Sequence, residues 1–270
     1  GDPEGAIADL DAALEKAGNK SNKPSGFNAD VLWYRAEAEL LLKDYEAASH
    51  TYDLVAEQGG DKISSLYMKA VCAGKLEDKD QAVSYYREAL GMEKEGVRSP
   101  GYEEALIAAG SACVKAQDSE TAKSLYEEAL NSGKTGEKLE SRIYNQLGLC
   151  QMAAEDYQSA YDSFDKGYQV AAAAQAAALQ EKDRKTGKET DKKETKDGDA
   201  GEGAGGENAP AVAAEADGFR ELLKELAYNR AAACEHLQQY DKALALFEDF
   251  VKEFGSNEDA EHEIAFLKTR

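Results

Sequence analysis

Apolar positions along the chain recur with helical spacing. An alanine is followed four residues later by an aromatic residue or a leucine, and three residues further on usually by a small residue. Such spacings place side chains on one face of an α-helix. A proline inside an apolar-periodic segment would interrupt a helix. All four prolines fall outside these segments: Pro3, Pro24, Pro100 and Pro210. The sequence therefore predicts an all-α protein.

The same pattern occurs six times and divides the chain into repeated units. Its copies are Ala6/Leu10/Ala13, Ala48/Tyr52/Val55, Ala82/Tyr86/Ala89, Ala122/Tyr126/Ala129, Ala160/Phe164/Gly167 and Ala243/Phe247/Phe250. Successive alanines are 42, 34, 40, 38 and 83 residues apart, so loops lengthen a unit of 34 residues. Twelve residues before each full copy lies another small residue: Ala36, Ala70, Gly110, Gly148 and Ala231. Small residues allow two helices to approach closely, so each unit is predicted to be an antiparallel helical hairpin.

The spacing of the units predicts the organisation of the chain. Residues 1–18 are expected to be the second helix of a truncated first repeat, and residues 30–182 to be four hairpins. A fifth hairpin is expected at 218–254 and a capping helix at 257–270. Between them, residues 183–217 are rich in charge and glycine and poor in large apolar side chains, which predicts a disordered low-complexity insertion.

Charge narrows the class of partner. The chain has 53 Asp and Glu against 32 Lys and Arg, which gives a net charge of −21. An acidic surface repels nucleic acid, so we expect no nucleic-acid partner and a basic character in any charged partner. A solvated surface that aids solubility is the alternative explanation. No stretch approaches the roughly 20 uninterrupted apolar residues of a membrane-spanning helix, so we expect no direct membrane insertion of this chain.

The cysteines and histidines offer no candidate catalytic or metal site. The cysteines are Cys72, Cys113, Cys150 and Cys234, and the histidines are His50, His236 and His262. The cysteines lack C-x-x-C spacing and fall in the first helices of separate hairpins, which predicts small core residues. The histidines fall on separate helices, although acid–base catalysis needs groups that converge. The sequence therefore predicts a non-enzymatic protein with no cofactor and no metal.

Two of the copies show which known repeat this pattern resembles. In the first, the run Tyr144-Asn145-Gln146-Leu147-Gly148 precedes Asp156-Tyr157-Gln158-Ser159-Ala160 and Phe164, and in the second Tyr240-Asp241-Lys242-Ala243 precedes Phe247. These runs resemble the tetratricopeptide repeat (TPR) family. The resemblance covers nearly all of the chain outside residues 171–220.

The sequence departs from the family in two respects: the usual closing proline is missing from the repeats, and Phe250 replaces a small residue. The resemblance implies a right-handed α-α superhelical solenoid of TPR-type hairpins with a C-terminal capping helix. It also implies a scaffold that binds a peptide or protein partner in a concave groove, lined by the first helix of each hairpin.

Seven residues are candidates for the lining of this groove. They are Trp33, Glu37, Tyr67, Val71, Ile107, Asn145 and Tyr228. Packing between adjacent hairpins is the competing explanation for the aromatic positions among them. Chaperone-binding TPR proteins carry lysine, asparagine and arginine at such positions, whereas only Asn145 fits here. A chaperone adaptor is therefore disfavoured.

Two further runs, Asp30 to Glu39 and Ile264 to Arg270, resemble a group of bacterial TPR lipoproteins from Gram-positive anaerobes. That resemblance implies a lipid anchor upstream of this chain and a place on the extracytoplasmic face of a bacterial membrane. A cytoplasmic location is the alternative. The alternative functions are a TPR part of a larger enzyme and a cytoplasmic regulatory adaptor.

Overall fold

The structure, a computed structural model, describes residues 1–18, 26–94, 97–193 and 208–270. Within these ranges the chain forms twelve α-helices and no β-strand, which confirms the all-α fold class. The helices are α1 (Pro3–Gly18), α2 (Phe27–Leu41), α3 (Tyr45–Glu57), α4 (Lys62–Lys75), α5 (Lys79–Met92), α6 (Tyr102–Lys115), α7 (Ser119–Asn131), α8 (Glu137–Ala153), α9 (Tyr157–Lys193), α10 (Asn208–His236), α11 (Tyr240–Phe254) and α12 (Glu258–Leu267).

The helices form two compact units, unit 1 (Gly1–Glu128) and unit 2 (Ala129–Arg270). In unit 1, α2 pairs with α3, α4 pairs with α5, and α4 also packs against α6. In unit 2, α8 pairs with α9, while α10 packs against both α9 and α11. The short α12 packs against α11, where a capping helix was predicted. None of the helices in the described ranges combines the length and the apolar character needed to cross a bilayer.

The turn inside each hairpin repeats one backbone conformation. A non-glycine residue with φ near 60° stands two positions before each second helix: Lys43, Glu77, Gln117, Glu155 and Gln238. In four of the five turns the next residue is aspartate. The carboxylates of Asp44 and Asp78 accept hydrogen bonds from the backbone N–H groups of Ala47 and Gln81, at 3.1 and 3.0 Å, and so cap the helices that follow.

Replacing Lys43 by glycine should raise the free energy of unfolding slightly, by less than about 1 kcal/mol. A left-handed backbone costs an L-residue energy that glycine does not incur. The matched control is Lys123→Gly within α7, which should lower stability by up to about 1 kcal/mol because glycine is a poor helix former. Urea denaturation of both variants checks the prediction, and a loss of stability in Lys43→Gly would contradict it.

Small residues lie at the closest approaches of paired helices, as the repeat pattern predicts. A Cβ atom on Gly148 of α8 would collide with the ring of Phe164 on α9, and one on Gly110 of α6 with the ring of Tyr126 on α7. Both aromatic side chains are fully buried. In both hairpins the glycine of the first helix is therefore in direct contact with the aromatic residue of the second, as the repeat pattern predicts.

All four cysteines are buried and free, which confirms that they are core residues. Burial raises the pKa of the Cys72 thiol to about 12, so this thiol stays protonated at neutral pH. The cysteines contribute packing volume rather than nucleophiles.

The structure differs from the predicted insertion at residues 183–217. Helix α9 continues to Lys193 and α10 begins at Asn208, so helices extend into both ends of that segment. Alanine-rich sequence at 209–216 favours the early start of α10, because alanine has the highest helix propensity. Pro210 is tolerated because it lies in the first turn of α10. The remainder of the predicted insertion, residues 194–207, lies outside the described residues.

Candidate functional site

Unit 2 contains an open cleft of about 540 Å³, which we call the unit 2 cleft. Its walls come from α8 and α10, from α11, and from the start of α12 with the residue before it. The lining residues are Asn145, Gln146, Leu149, Glu221, Lys224, Glu225, Tyr228, Asn229, Phe250, Asn257 and Asp259. Two of the predicted groove residues, Asn145 and Tyr228, are among them.

A pair of side-chain amides joins α8 to α10 in this cleft. The Asn229 amide nitrogen donates to the Asn145 carbonyl oxygen at 2.9 Å, and the Asn145 amide nitrogen donates to a Glu225 carboxylate oxygen at 3.3 Å. Asn145 is only 4% exposed, so its orientation is held by packing as well as by these bonds. Each amide carries two N–H donors and an oxygen with two lone pairs, and these contacts use only part of that capacity.

An aromatic side chain forms another wall of the unit 2 cleft. The Tyr228 ring lies edge-to-face against Phe247 and Phe250, with ring centroids 5.3 and 5.7 Å apart. Burial raises the pKa of the Tyr228 phenol, and the nearby carboxylates of Glu263 and Asp259 raise it further. The phenol is therefore neutral at physiological pH and keeps its O–H donor.

The electrostatic character of the unit 2 cleft is acidic. Its lining includes the carboxylates of Glu221, Glu225 and Asp259 against one ammonium group, that of Lys224. Close by, burial and then the carboxylate of Glu263 raise the pKa of Glu235, and the Glu235 carboxylate in turn helps to raise the pKa of Tyr228, so carboxylates repel one another here. A positively charged group entering the cleft would relieve that repulsion.

The predicted groove residues of unit 1 differ from one another in how far they are buried. Trp33 is partly buried, and its indole N–H donates to the Glu37 carboxylate at 2.8 Å. Val71 of α4 and Ile107 of α6 are also partly buried. These four residues keep some exposed surface.

Tyr67 is a correction to the predicted groove, because the structure buries it completely. At this position the structure supports the competing explanation, packing between adjacent hairpins. Its ring centroid lies 5.7 Å from that of Tyr102 and 6.1 Å from that of Tyr86. The residue before Tyr102, Gly101, has φ of +88°, and a Cβ atom added there would lie 3.1 Å from Cβ of Tyr67. The loop between α5 and α6 therefore covers the position that the repeat pattern assigned to the groove.

Leu149, Asn229 and Asp259 line the cleft but are not among the predicted groove residues. Leu149 follows Asn145 by one helical turn, so helix spacing alone points to it. Asn229 directly follows Tyr228, and neighbours in sequence do not share a helix face, so no such signal marks it. Asp259 belongs to the capping helix and carries no repeat signal. Phe250, noted above as a departure from the family pattern, supplies part of the cleft's apolar surface.

The groups in the unit 2 cleft are suited to binding: amides for hydrogen bonds, aromatic rings for apolar contact, and carboxylates for a cation. The part of the chain that the structure describes has no group of three or more His, Cys, Asp or Glu residues that could hold a metal ion. The histidines lie on α3, α10 and α12.

Family models of the tetratricopeptide repeat match residues 1–62 and residues 63–95. The chain therefore carries TPR repeats, a class that typically mediates protein–protein interaction. The comparison with curated proteins found no match.

Solved structures are similar to this chain at low sequence identity. The apo form of the quorum sensor NprR from B. thuringiensis is 15% identical with a TM-score of 0.57, and the alignment covers 97% of this chain and 64% of that one. A tetratricopeptide repeat protein from Parabacteroides merdae is 14% identical with a TM-score of 0.49, over 99% of this chain and 93% of that one. At this level of identity the likeness to NprR shows the fold alone.

Proposed function

We propose that this protein is a protein–protein interaction scaffold that binds an extended segment of a basic partner in the unit 2 cleft. The observation that carries the proposal is the amide pair of Asn145 and Asn229, which lies beside Tyr228 in an acidic cleft. TPR proteins typically act as non-catalytic scaffolds, and the cleft offers binding groups of three complementary kinds.

The amide pair suits the main chain of a peptide. An extended segment presents one N–H donor and one C=O acceptor per residue, and these groups need partners when they are buried. Side-chain amides can pair with both kinds of group. Asn145 is only 4% exposed, so its role is to hold Asn229 in position through the 2.9 Å hydrogen bond. The Asn229 amide keeps more exposed surface and can meet a peptide with little loss of conformational freedom.

The apolar and charged groups of the cleft suit particular side chains. Tyr228, Phe250 and Leu149 form the apolar surface, and Glu221, Glu225 and Asp259 supply negative charge. A partner segment with a lysine or arginine next to an apolar residue would match both the apolar surface and the negative charge of the cleft. The contribution of these charges to binding affinity should fall as salt concentration rises, because salt screens exposed charges.

Asn145→Ala and Tyr228→Ala should each weaken peptide binding by about tenfold, which corresponds to ~1–2 kcal/mol per truncated anchor. Peptides for this test are selected from a random library on the wild-type protein, and their affinities are measured by fluorescence anisotropy. The control is Asn131→Ala, which removes an exposed asparagine outside the cleft and should leave affinity unchanged.

Melting temperatures of all three variants show whether a lost affinity reflects lost folding. The proposal fails if folded Asn145→Ala and Tyr228→Ala bind the selected peptides as tightly as the wild type. It also fails if selection enriches acidic rather than basic peptides.

The resemblance to bacterial TPR lipoproteins supports a second proposal, that the scaffold acts at the extracytoplasmic face of a membrane through an upstream lipid anchor. The alternatives are a cytoplasmic regulatory adaptor and the TPR part of a larger enzyme. The full-length gene separates them: a lipid-modified cysteine a few tens of residues upstream supports the anchor, whereas a catalytic domain supports the enzyme.

A further inference from the structure

Unit 1 contains a small pocket that the function proposed for unit 2 does not use. Its volume is about 250 Å³, and we call it the Trp33 pocket. It lies between α2, the start of α4 and the loop before α6, and its lining includes Trp33, Asp30, Asp61, Ser64 and Pro100. Pockets for drug-sized ligands are about 300–1,000 Å³, so this one is sized for a single side chain.

The indole of Trp33 is held in place before any ligand arrives. Its N–H donates to the Glu37 carboxylate at 2.8 Å, and its ring packs edge-to-face on the buried Tyr52 with centroids 5.2 Å apart. An aromatic ring carries negative charge on its face and therefore attracts a cation. A fixed ring loses little freedom when it takes part in such a contact.

The charges around the pocket have one sign. Asp30 is exposed in the first turn of α2, and Asp61 caps α4 by accepting from the backbone N–H of Ile63 at 3.0 Å. Neither Lys nor Arg is among the residues that line the pocket.

Two basic residues close to the lining in sequence have other partners. The Lys62 ammonium lies 3.8 Å from the Glu88 carboxylate, and the Arg98 guanidinium stacks over the Tyr102 ring at 4.8 Å. Neither Lys62 nor Arg98 therefore neutralises the carboxylates of Asp30 and Asp61 in the pocket.

We infer that the Trp33 pocket is a second binding site, which takes the ammonium or guanidinium group of a lysine or arginine side chain from a protein partner. The indole and the carboxylates of Asp30 and Asp61 both favour a cation. The aliphatic stem of such a side chain would pack against the apolar part of the lining, Ala29 and Val55, which are buried there. The site stands on unit 1 alone, so it does not depend on the unit 2 cleft.

The chain has a single tryptophan, so its fluorescence reports on this pocket alone. Titration with Nα-acetyl-lysine methylamide should give a saturable change in Trp33 emission, with half-saturation on the order of millimolar. Nα-acetyl-norleucine methylamide has the same stem without the charge and should give no saturable change. Asp30→Asn should weaken the lysine response about three- to fivefold, as loss of an exposed ion pair does.

The matched control is Asp80→Asn, which removes an exposed aspartate from the first turn of α5 and should leave the response unchanged. The inference is overturned if the norleucine compound responds equally, if Asp30→Asn and Asp80→Asn behave alike, or if no saturation occurs. A response to n-butylammonium without one to capped lysine would reassign the pocket to a free amine and also overturn it. Tyr228→Ala, which alters the unit 2 cleft, should leave every one of these titrations unchanged.

Discussion

Replacing Tyr67 by alanine should lower the free energy of unfolding of unit 1 by about 3–5 kcal/mol and leave peptide affinity at the unit 2 cleft unchanged. Tyr67 is 0% exposed and packs against Tyr86 and Tyr102, so truncation would leave a cavity beside these two aromatic rings. Surrounding atoms collapse only partly into such a cavity, and the lost contacts add to the lost transfer free energy.

Urea denaturation and peptide anisotropy, both measured on Tyr67→Ala, check the two halves of this prediction. Tyr34→Ala is the control in the same unit, since Tyr34 is 62% exposed and its truncation should cost little. If Tyr67→Ala kept wild-type stability and lost affinity instead, Tyr67 would be a groove residue and the assignment to hairpin packing would be wrong.

Replacing Gly148 by leucine should destabilise unit 2 by about 2–3 kcal/mol, near the upper end of the usual cost of overpacking. The glycine faces the ring of Phe164, which is itself 0% exposed, and a Cβ atom alone would already collide with that ring. A branched side chain at this position must therefore push α8 and α9 apart.

Gly91→Leu provides the matched control for this variant. Gly91 also lies in a helix, α5, but a Cβ atom there meets nothing within 4 Å. This change should be neutral or stabilising, because glycine is the poorer helix former. Equal denaturation midpoints in urea for the two variants would contradict the register of α8 against α9.

The helical hairpins could be predicted from the sequence because the signal for them is local. Gly148 and Phe164 are only 16 residues apart along the chain, and a fixed spacing between a small and a large residue determines which pairs of positions meet. The same reasoning placed the cysteines in the core. Each of these inferences needs only helix geometry and the contact between consecutive helices.

The repeat pattern could not decide whether Tyr67 lines the groove or packs between hairpins, because that depends on the connection between α5 and α6. Gly101 ends the connection between α5 and α6, and Tyr102 is the first residue of α6. The repeat pattern marks that connection only as added length. The path of such a loop is set by its own contacts, such as the 2.6 Å hydrogen bond from the Ser99 backbone N–H to the Glu93 carboxylate. None of these contacts has a periodic signature.

The unit 2 cleft was only partly predictable, for a related reason. Asn145 and Asn229 are 84 residues apart in sequence, and the segment between them includes residues 194–207, outside the described ranges. The repeat pattern predicted both helices, and Asn145 and Tyr228 were among the groove candidates. It could not show that the neighbouring Asn229 reaches Asn145, because that contact joins helices from different hairpins.

The most direct measurement of the central proposal is photo-cross-linking from two leucines of unit 2 to a peptide selected for binding. Leu149 lies in the unit 2 cleft and is 37% exposed, whereas Leu179 on α9 is 45% exposed and lies outside it. Each is replaced in turn by p-benzoylphenylalanine, and the cross-linked product is quantified by mass spectrometry. Binding in the cleft predicts strong cross-linking from position 149 and almost none from position 179. Equal cross-linking from both positions, or cross-linking from 179 alone, would contradict it.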